Sequence, residues 1–223
     1  MGKILNIGHR GAKGHAPENT LASFRKALEL NVDGIELDVH MSADNEILVI
    51  HDATIDRTTS QSGIVNALTL SELKAAGSIP TLSEVLNLTE RKCFVNIELK
   101  GAGTAIPVVN LIDKYIAGKN WNYSDFIISS FDWNALQEVR RMNNKIRIGV
   151  LTLTDLQLAI GFARFINAYS VHPHFHLLTK ENTLQMQNNG FFVFPWTVNE
   201  NEDIDKIKAF HVNGIITDFP DRL

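Results

Sequence analysis

Short apolar runs rich in β-branched residues alternate with longer amphipathic segments along the whole chain, and this alternation limits the possible folds more than any other feature. A strand that is followed by a helix and then by another strand usually pairs in parallel with its neighbour. Eight repeats of this unit in one chain of 223 residues predict an α/β fold, the (β/α)8 TIM barrel, in a single domain spanning residues 1–223. The predicted strands cover residues 4–8, 34–39, 94–99, 126–131, 146–151, 168–173, 191–198 and 214–219.

The segments between these runs carry apolar residues at helical spacing. In "NTLASFRKALEL" the residues Leu21, Phe24 and Leu28 fall on one helical face, and Asn19 or Thr20 is in position to cap the helix. Later segments such as "DWNALQEVRRM", "TDLQLAIGFARF" and "NENEDIDKIKAF" follow the same pattern.

One segment, "EILVIHD" (46–52), departs from the alternation. It has the composition of a strand, but it follows "IELDVHM" too closely for a parallel crossover, which needs a dozen or more residues. We therefore expect a hairpin arm after strand 2. A two-residue turn within 43–45 pairs residues whose numbers sum to 87 or 89, and these registers place His51 opposite Glu36 or Asp38, respectively.

Composition excludes several classes of function. The formal net charge is −4, with acids and bases interspersed, so no basic surface for nucleic acid is expected. No apolar run approaches the ~18–20 residues of a membrane-spanning helix. A single cysteine, Cys93, permits no internal disulfide, and the start "MGKILNIGHRG" has no room for a signal-peptide core. We expect a cytoplasmic protein, or a periplasmic or secreted one if a leader has been removed; the sequence leaves the oligomeric state open.

Two acids in "GIELDV" point in the same direction. Residues two apart in a strand share a face, so if Leu37 faces the outer helices, Glu36 and Asp38 face the barrel interior. Two buried acids repel each other unless a cation lies between them, and carboxylate oxygens suit a hard divalent ion. The alternative is a half-exposed strand with both acids in water, which is less consistent with strands covered on both faces.

Further charged residues lie near the ends of predicted strands. In "NIELK" the residues Glu98 and Lys100 share a face, either as a buried ion pair or as a third metal carboxylate beside an ammonium for an anionic substrate. The opening stretch "IGHRGAKGHAPENT" adds His9 and Arg10, and the hairpin adds His51. Chemistry in barrel enzymes gathers at the carboxyl ends of strands. Two histidines that exchange protons, beside cations and a metal, fit the cleavage of a phosphodiester.

Other residues are candidates for the wall of the site. Phe131 in "SSFD" and Trp196 in "WTVN" either line a substrate pocket or pack in the core. Glu18 in "PENT" lies near the expected mouth, although this motif also simply begins the first helix. His172 in "VHPHFH" borders the pocket or lies in a loop at the end of a strand, and His15 is interpreted as solvated.

The chain resembles the glycerophosphodiester phosphodiesterase family. The matching stretches are "GHRGAKGHAPENT", "DGIELDVHMSADNEILVIHDATIDRTT", "NIELKG", "ISSFD", "WTVN" and "GIITDFP", in order along the chain. The resemblance implies a barrel with a small insertion at roughly 52–80 and hydrolysis of a small-molecule glycerophosphodiester to sn-glycerol 3-phosphate and an alcohol. It also implies one divalent cation, Mg or Ca. By position, the family's metal ligands match Glu36, Asp38 and Glu98. Its acid–base pair matches His9 and His51, and its phosphate contacts match Arg10 and Lys100.

The resemblance leaves three questions open. It does not decide the preferred alcohol, nor whether the glycerol 2-hydroxyl or water attacks phosphorus, nor which histidine is the acid. The alternatives are a lysophospholipase D-type enzyme, which requires a wider apolar approach, and a barrel that binds a phosphate ligand without turnover. The complete set of site residues favours the glycerophosphodiester hydrolase.

Overall fold

The computed structural model describes residues 2–223 and contains one sheet of nine strands. Eight of them are parallel neighbours in the order β8–β7–β6–β5–β4–β2–β1–β9, and β3 pairs only with β2. The strands are β1 Leu5–Gly8, β2 Gly34–Met41, β3 Ile47–Val49, β4 Phe94–Leu99, β5 Phe126–Ser130, β6 Arg147–Thr152, β7 Ser170–Pro173, β8 Phe192–Val193 and β9 Gly214–Thr217.

The sheet closes into a barrel between β8 and β9, the two strands at the ends of this order. The amide of Asn213 donates to the carbonyl of Val193 (3.1 Å), and the amide of Ile216 donates to the carbonyl of Pro195 (3.0 Å). The eight parallel strands therefore form the predicted (β/α)8 barrel. The run predicted as a strand at 191–198 contributes only two residues of regular ladder, because its remainder passes along the last strand as irregular extended chain.

Helices surround the barrel and begin at the caps that the sequence indicates. The side chain of Thr20 accepts from the amide of Ser23 (3.2 Å), which selects Thr20 as the first cap because the Asn19 side chain bonds elsewhere. Across residues 2–223, no helix is long and apolar enough to cross a membrane. The helices are α1 Leu21–Glu29, α2 Leu70–Ala76, α3 Leu82–Thr89, α4 Ala105–Gly118, α5 Trp133–Met142, α6 Leu156–Phe165, α7 Lys180–Asn188 and α8 Asn201–Lys208.

The core has one main layer between sheet and helices and a small cluster inside the barrel. Leu37, fully buried, belongs to the outer layer, whereas Ile7, Phe194 and Ile216 fill the interior. This arrangement confirms that alternate residues of β2 face outward and that Glu36 and Asp38 face the barrel interior.

The hairpin arm is antiparallel as expected, but both predicted registers are wrong. Its partners are Val39 with Val49, and Met41 with Ile47, so paired residue numbers sum to 88. The loop has three residues instead of two, because Asn45 adopts a left-handed conformation (φ 64°) that closes a longer turn. His51 therefore lies beyond the paired residues of the arm.

The segment after the arm is more ordered than its polar sequence indicates. It contains a 3-10 turn at Val65–Ala67 and the helix α2, whose first residue follows the capping threonine Thr69. Leu48, Ile55 and Leu73 form a separate buried cluster beneath it. The insertion thus has its own small core, which fixes it beside the carboxyl end of β2.

Candidate active site

Three carboxylates meet inside the carboxyl end of the barrel. Glu36 and Asp38 come from β2 and Glu98 from β4, where the parallel ladder places Asp38 directly beside Glu98. One oxygen from each lies within 4.8 Å of the other two, and the residues are only 4%, 1% and 9% exposed. Such a cluster has the donor atoms and the spacing to bind a hard cation.

Burial and mutual repulsion act on these acids. Burial, together with the charge of Asp38, raises the pKa of Glu98 to about 7, and the same causes raise the pKa of Glu36 well above its ordinary value. Two cations offset part of this charge. Arg10 Nε lies 3.2 Å from Asp38, and Lys100 Nζ lies 3.1 Å from Glu98. Among residues 2–223, these two cations therefore do not balance the charge of the three carboxylates when all three are ionised.

A strained turn after β1 carries His9 and Arg10. Arg10 has φ 50° and Gly11 φ 86°, and a Cβ at Gly11 would lie 2.7 Å from the backbone of Ser23. The turn lets the Arg10 amide donate to Glu36 (3.0 Å). His9 Nδ1 donates to Asp218 (2.6 Å), and its Nε2 lies 3.9 Å from Glu36. Since Asp218 holds Nδ1, the free nitrogen of His9 faces the carboxylate cluster.

His51, just beyond the hairpin arm, has a matching arrangement. Its Nδ1 donates to Asp52 (2.6 Å), and its backbone carbonyl accepts a hydrogen bond from His40 Nε2 (3.1 Å). Its ring lines the same cavity as His9 and Glu36. Two imidazoles, each oriented by a carboxylate on Nδ1, can present Nε2 to one bound molecule, which is the arrangement that general acid–base catalysis needs.

The cavity between these groups has a volume of about 90 Å³. Phe131 and Trp196 form one wall, with ring centroids 5.4 Å apart in an edge-to-face contact, and Phe131 is 42% exposed. Asn96 and Ser129 also line the cavity, and their side-chain oxygens bond no other residue within 2–223. These polar atoms are available to a bound molecule, and the aromatic wall suits a carbon skeleton.

The remaining candidates lie outside this cavity. Glu18 accepts from Arg10 Nη1 (2.8 Å) and so holds the guanidinium from behind. His172 is not in a loop but in β7, fully buried, with Nε2 2.8 Å from Ser170, and burial lowers its pKa to about 3. It supports the wall indirectly, since its carbonyl accepts from the Trp196 indole (2.8 Å). His15 is exposed, as predicted, and pairs at the surface with Asp221 (2.5 Å).

Sequence reasoning missed several partners of the site residues. Asp218 follows the last strand in "GIITDFP", a position where barrel chemistry gathers, and that signal was available. Asn199 Nδ2 donates to Asp218 (2.9 Å), and Asn19 Nδ2 donates to Asp38 (2.9 Å). Arg57 donates to both Glu18 and Asp52, a link that no local pattern indicates.

A larger groove of about 1020 Å³ lies beside the cavity and shares His51 with it. It runs between the start of α1 and the insertion, with a wall of Leu21, Ile50, Ile79 and Pro80. The groove gives room for a molecule that extends beyond the cavity on the side of His51.

The fold and the site together describe a (β/α)8 barrel with carboxylates and two histidines gathered at the carboxyl ends of its strands, the place where barrel enzymes carry their chemistry. The glycerophosphoryl diester phosphodiesterase family model matches residues 9–222. A glycerophosphodiester phosphodiesterase of Caldanaerobacter subterraneus subsp. tengcongensis is 40% identical, covering 99% of this chain and 96% of that protein. One of Bacillus altitudinis is 35% identical over 100% and 96% of the two chains. The crystal structure of the glycerophosphodiester phosphodiesterase of Thermotoga maritima is 29% identical, with a TM-score of 0.86 over 99% and 97% of the chains.

The chain therefore belongs to the glycerophosphoryl diester phosphodiesterase family, which confirms the resemblance seen in its sequence. Its activity is that of a glycerophosphodiester phosphodiesterase, a phosphoric diester hydrolase.

Proposed function

We propose that this enzyme, acting as a single catalytic domain, hydrolyses glycerophosphodiesters to sn-glycerol 3-phosphate and an alcohol. The proposed reaction uses one divalent cation and two histidines, one that accepts a proton and one that donates a proton. The observation that carries this proposal is the buried carboxylate cluster with both histidines beside it. Glu36, Asp38 and Glu98 are the proposed metal ligands, and Mg or Ca is the proposed ion.

The donor set fits such an ion. All three ligands are carboxylates, which hard cations prefer, and burial together with the neighbouring carboxylates raises the pKa of Glu36 and of Glu98. When all three carboxylates are ionised, they and the two cations Arg10 and Lys100 sum to one net negative charge, which would repel a substrate anion. A divalent cation held by these carboxylates would change the sum to one positive charge, which matches the single negative charge of a phosphodiester. Its chemistry there would be to stabilise negative charge on a phosphoryl oxygen.

The protein's own residues bind the diester and move protons. Arg10 and Lys100 are proposed to contact phosphate oxygens, and the Phe131–Trp196 wall is proposed to pack against the carbon skeleton of the substrate. One histidine takes the proton from the attacking hydroxyl or water at Nε2, and the other donates a proton from Nε2 to the leaving alkoxide. Asp218 and Asp52 hold the two rings in the orientation that this exchange requires.

Turnover assays test the proposal directly. Glycerophosphocholine, glycerophosphoethanolamine, glycerophosphoinositol and a lysophospholipid would each be supplied with Mg, with Ca or with EDTA. We expect release of sn-glycerol 3-phosphate that EDTA abolishes and that Glu36→Gln reduces by at least ~10²-fold. Glu29→Gln is the matched control and should keep full activity, because Glu29 is a surface acid whose ion pair within residues 2–223 is with Lys26. Activity that survives both EDTA and Glu36→Gln would refute the metal site.

A second candidate function is favoured by the large groove. Its apolar wall and volume of about 1020 Å³ give room for the acyl-bearing part of a lysophospholipid, as a lysophospholipase D-type reaction requires. Faster turnover of the lysophospholipid than of the water-soluble diesters would select this function. Tight binding of all four compounds without turnover would instead indicate a phosphate-binding barrel.

A further inference from the structure

One arginine of the insertion lies between the two halves of the site. Arg57 Nη2 and Nη1 donate to the two oxygens of Glu18 (2.7 and 3.0 Å), while its Nε donates to Asp52 (2.6 Å). Glu18 and Arg57 are 39 residues apart in sequence, so this contact joins the turn after β1 to the insertion. The paired donors of a guanidinium match carboxylate geometry, which makes such a contact directional.

Each carboxylate that Arg57 contacts in turn holds a site residue. Glu18 accepts from Arg10 Nη1 (2.8 Å), and Asp52 accepts from His51 Nδ1 (2.6 Å). The links form one chain of charge-assisted hydrogen bonds from Arg10 to His51. Arg57 lines the adjoining large groove but neither the cavity nor the carboxylate cluster.

The backbone that carries Arg57 is fixed. Ile55 is 1% exposed, its amide donates to Gly63 (3.0 Å), and its carbonyl accepts from the amide of Thr59 (3.0 Å). The guanidinium thus extends from an anchored turn, and its three contacts have a defined direction. An ordinary exposed ion pair is worth only ~0–1 kcal/mol, so a purely structural role for Arg57 predicts little effect on its removal.

We propose that Arg57 is a positioning residue that couples the Arg10 side of the site to the His51 side, through Glu18 and Asp52. Without it, Asp52 keeps only its bond to His51 and is no longer held in place, so the orientation and tautomer of the His51 imidazole are less firmly fixed. Glu18 retains Arg10 but no longer ties it to the insertion. This inference rests on the proposed acid–base role of His51.

The test compares Arg57→Ala and Arg57→Lys with a matched control. Arg91 donates from Nε to Asp125 (2.9 Å) in another partly exposed pair, remote from the site residues in its contacts, so Arg91→Ala removes a similar ion pair. We expect kcat of Arg57→Ala to fall roughly 10–100-fold with KM nearly unchanged, because misplacing a catalytic group by about 1 Å can cost that much. Arg57→Lys should recover little, since one ammonium cannot bridge both carboxylates as the fork does. Added ethylguanidinium should partly restore Arg57→Ala, and Arg91→Ala should match the wild type.

A second measurement separates this inference from the proposed reaction. Nitrogen-15 NMR of the histidine rings reports the tautomer of His51 in the full chain without turnover, with the signal assigned by His51→Gln. We expect the Nδ1–H form in the wild type and a mixture of tautomers in Arg57→Ala. If the wild type turns over no diester but the His51 signal changes as expected, the proposed function fails and the coupling stands. The coupling would be overturned if Arg57→Ala kept the wild-type kcat and an unchanged His51 signal. It would also be overturned if a lower melting temperature explained the loss of kcat in both Arg57 variants.

Discussion

Removal of the proposed metal should make stability depend on pH in a direction that the carboxylate cluster determines. The pKa of Glu98 is raised from 4.5 to about 7 in the folded protein, first by burial and then by the neighbouring Asp38. A folded-state pKa above the unfolded value means that the folded protein holds its proton more tightly, so stability is highest below pH 4.5 for this group and is lost as pH rises through about 7. At 1.36 kcal/mol per pKa unit, the loss is about 3 kcal/mol, or about 6–12 °C in melting temperature for a chain of this size.

Thermal unfolding between pH 5 and pH 8 measures this effect. In EDTA, the melting temperature of the wild type should fall with pH relative to Glu98→Gln, whose side chain is neutral throughout. Mg or Ca should return the lost stability, and more at pH 8 than at pH 5, because the ion binds the ionised carboxylates and displaces the proton. Equal pH dependence in the wild type and Glu98→Gln, or a metal effect that does not grow with pH, would refute the reasoning.

Three further outcomes are expected. His9→Ala and His51→Ala should each lower kcat by at least ~10²-fold, with unfolding curves like that of the wild type. The wild-type rate should follow a bell-shaped pH profile. Unchanged rates in both variants would exclude proton transfer by these histidines. Asp218→Asn should lower kcat more than it raises KM, because the amide can fix the wrong tautomer of His9, and nitrogen-15 NMR would detect that tautomer. Thr81→Ala removes the side-chain cap of α3 and should lower the melting temperature by about 2–4 °C with kcat unchanged, as calorimetry and turnover together would measure.

The parts of the site that follow strand periodicity were predictable from sequence. The period of two places Glu36 and Asp38 on one face, and burial of the parallel sheet on both sides turns that face into the barrel. The parallel ladder then brings Glu98 beside Asp38 without any further information.

The partners of the histidines were not predictable in the same way. Asp218 lies 209 residues from His9, and the two meet because barrel closure makes the last strand a neighbour of the first. Arg57 reaches Glu18 through the packing of the insertion, which has no periodic pattern. The two predicted hairpin registers were wrong for a more local reason. Asn45 adopts a positive φ and lengthens the turn by one residue.

The two histidines share a hydrogen-bond pattern but differ in environment, and this difference predicts which of the proposed roles each one has. The side chain of His9 is 13% exposed and that of His51 28%. Burial lowers the pKa of His9 below its ordinary value, even though the bond to Asp218 acts in the opposite direction. A ring with a lowered pKa is neutral near pH 7, and only the neutral ring accepts a proton, so we expect His9 to be the base and His51 the acid. A nitrophenyl phosphodiester, whose leaving group needs no proton, should therefore restore His51→Ala in part and leave His9→Ala inactive. The reverse result would mean that burial does not decide which histidine takes the proton.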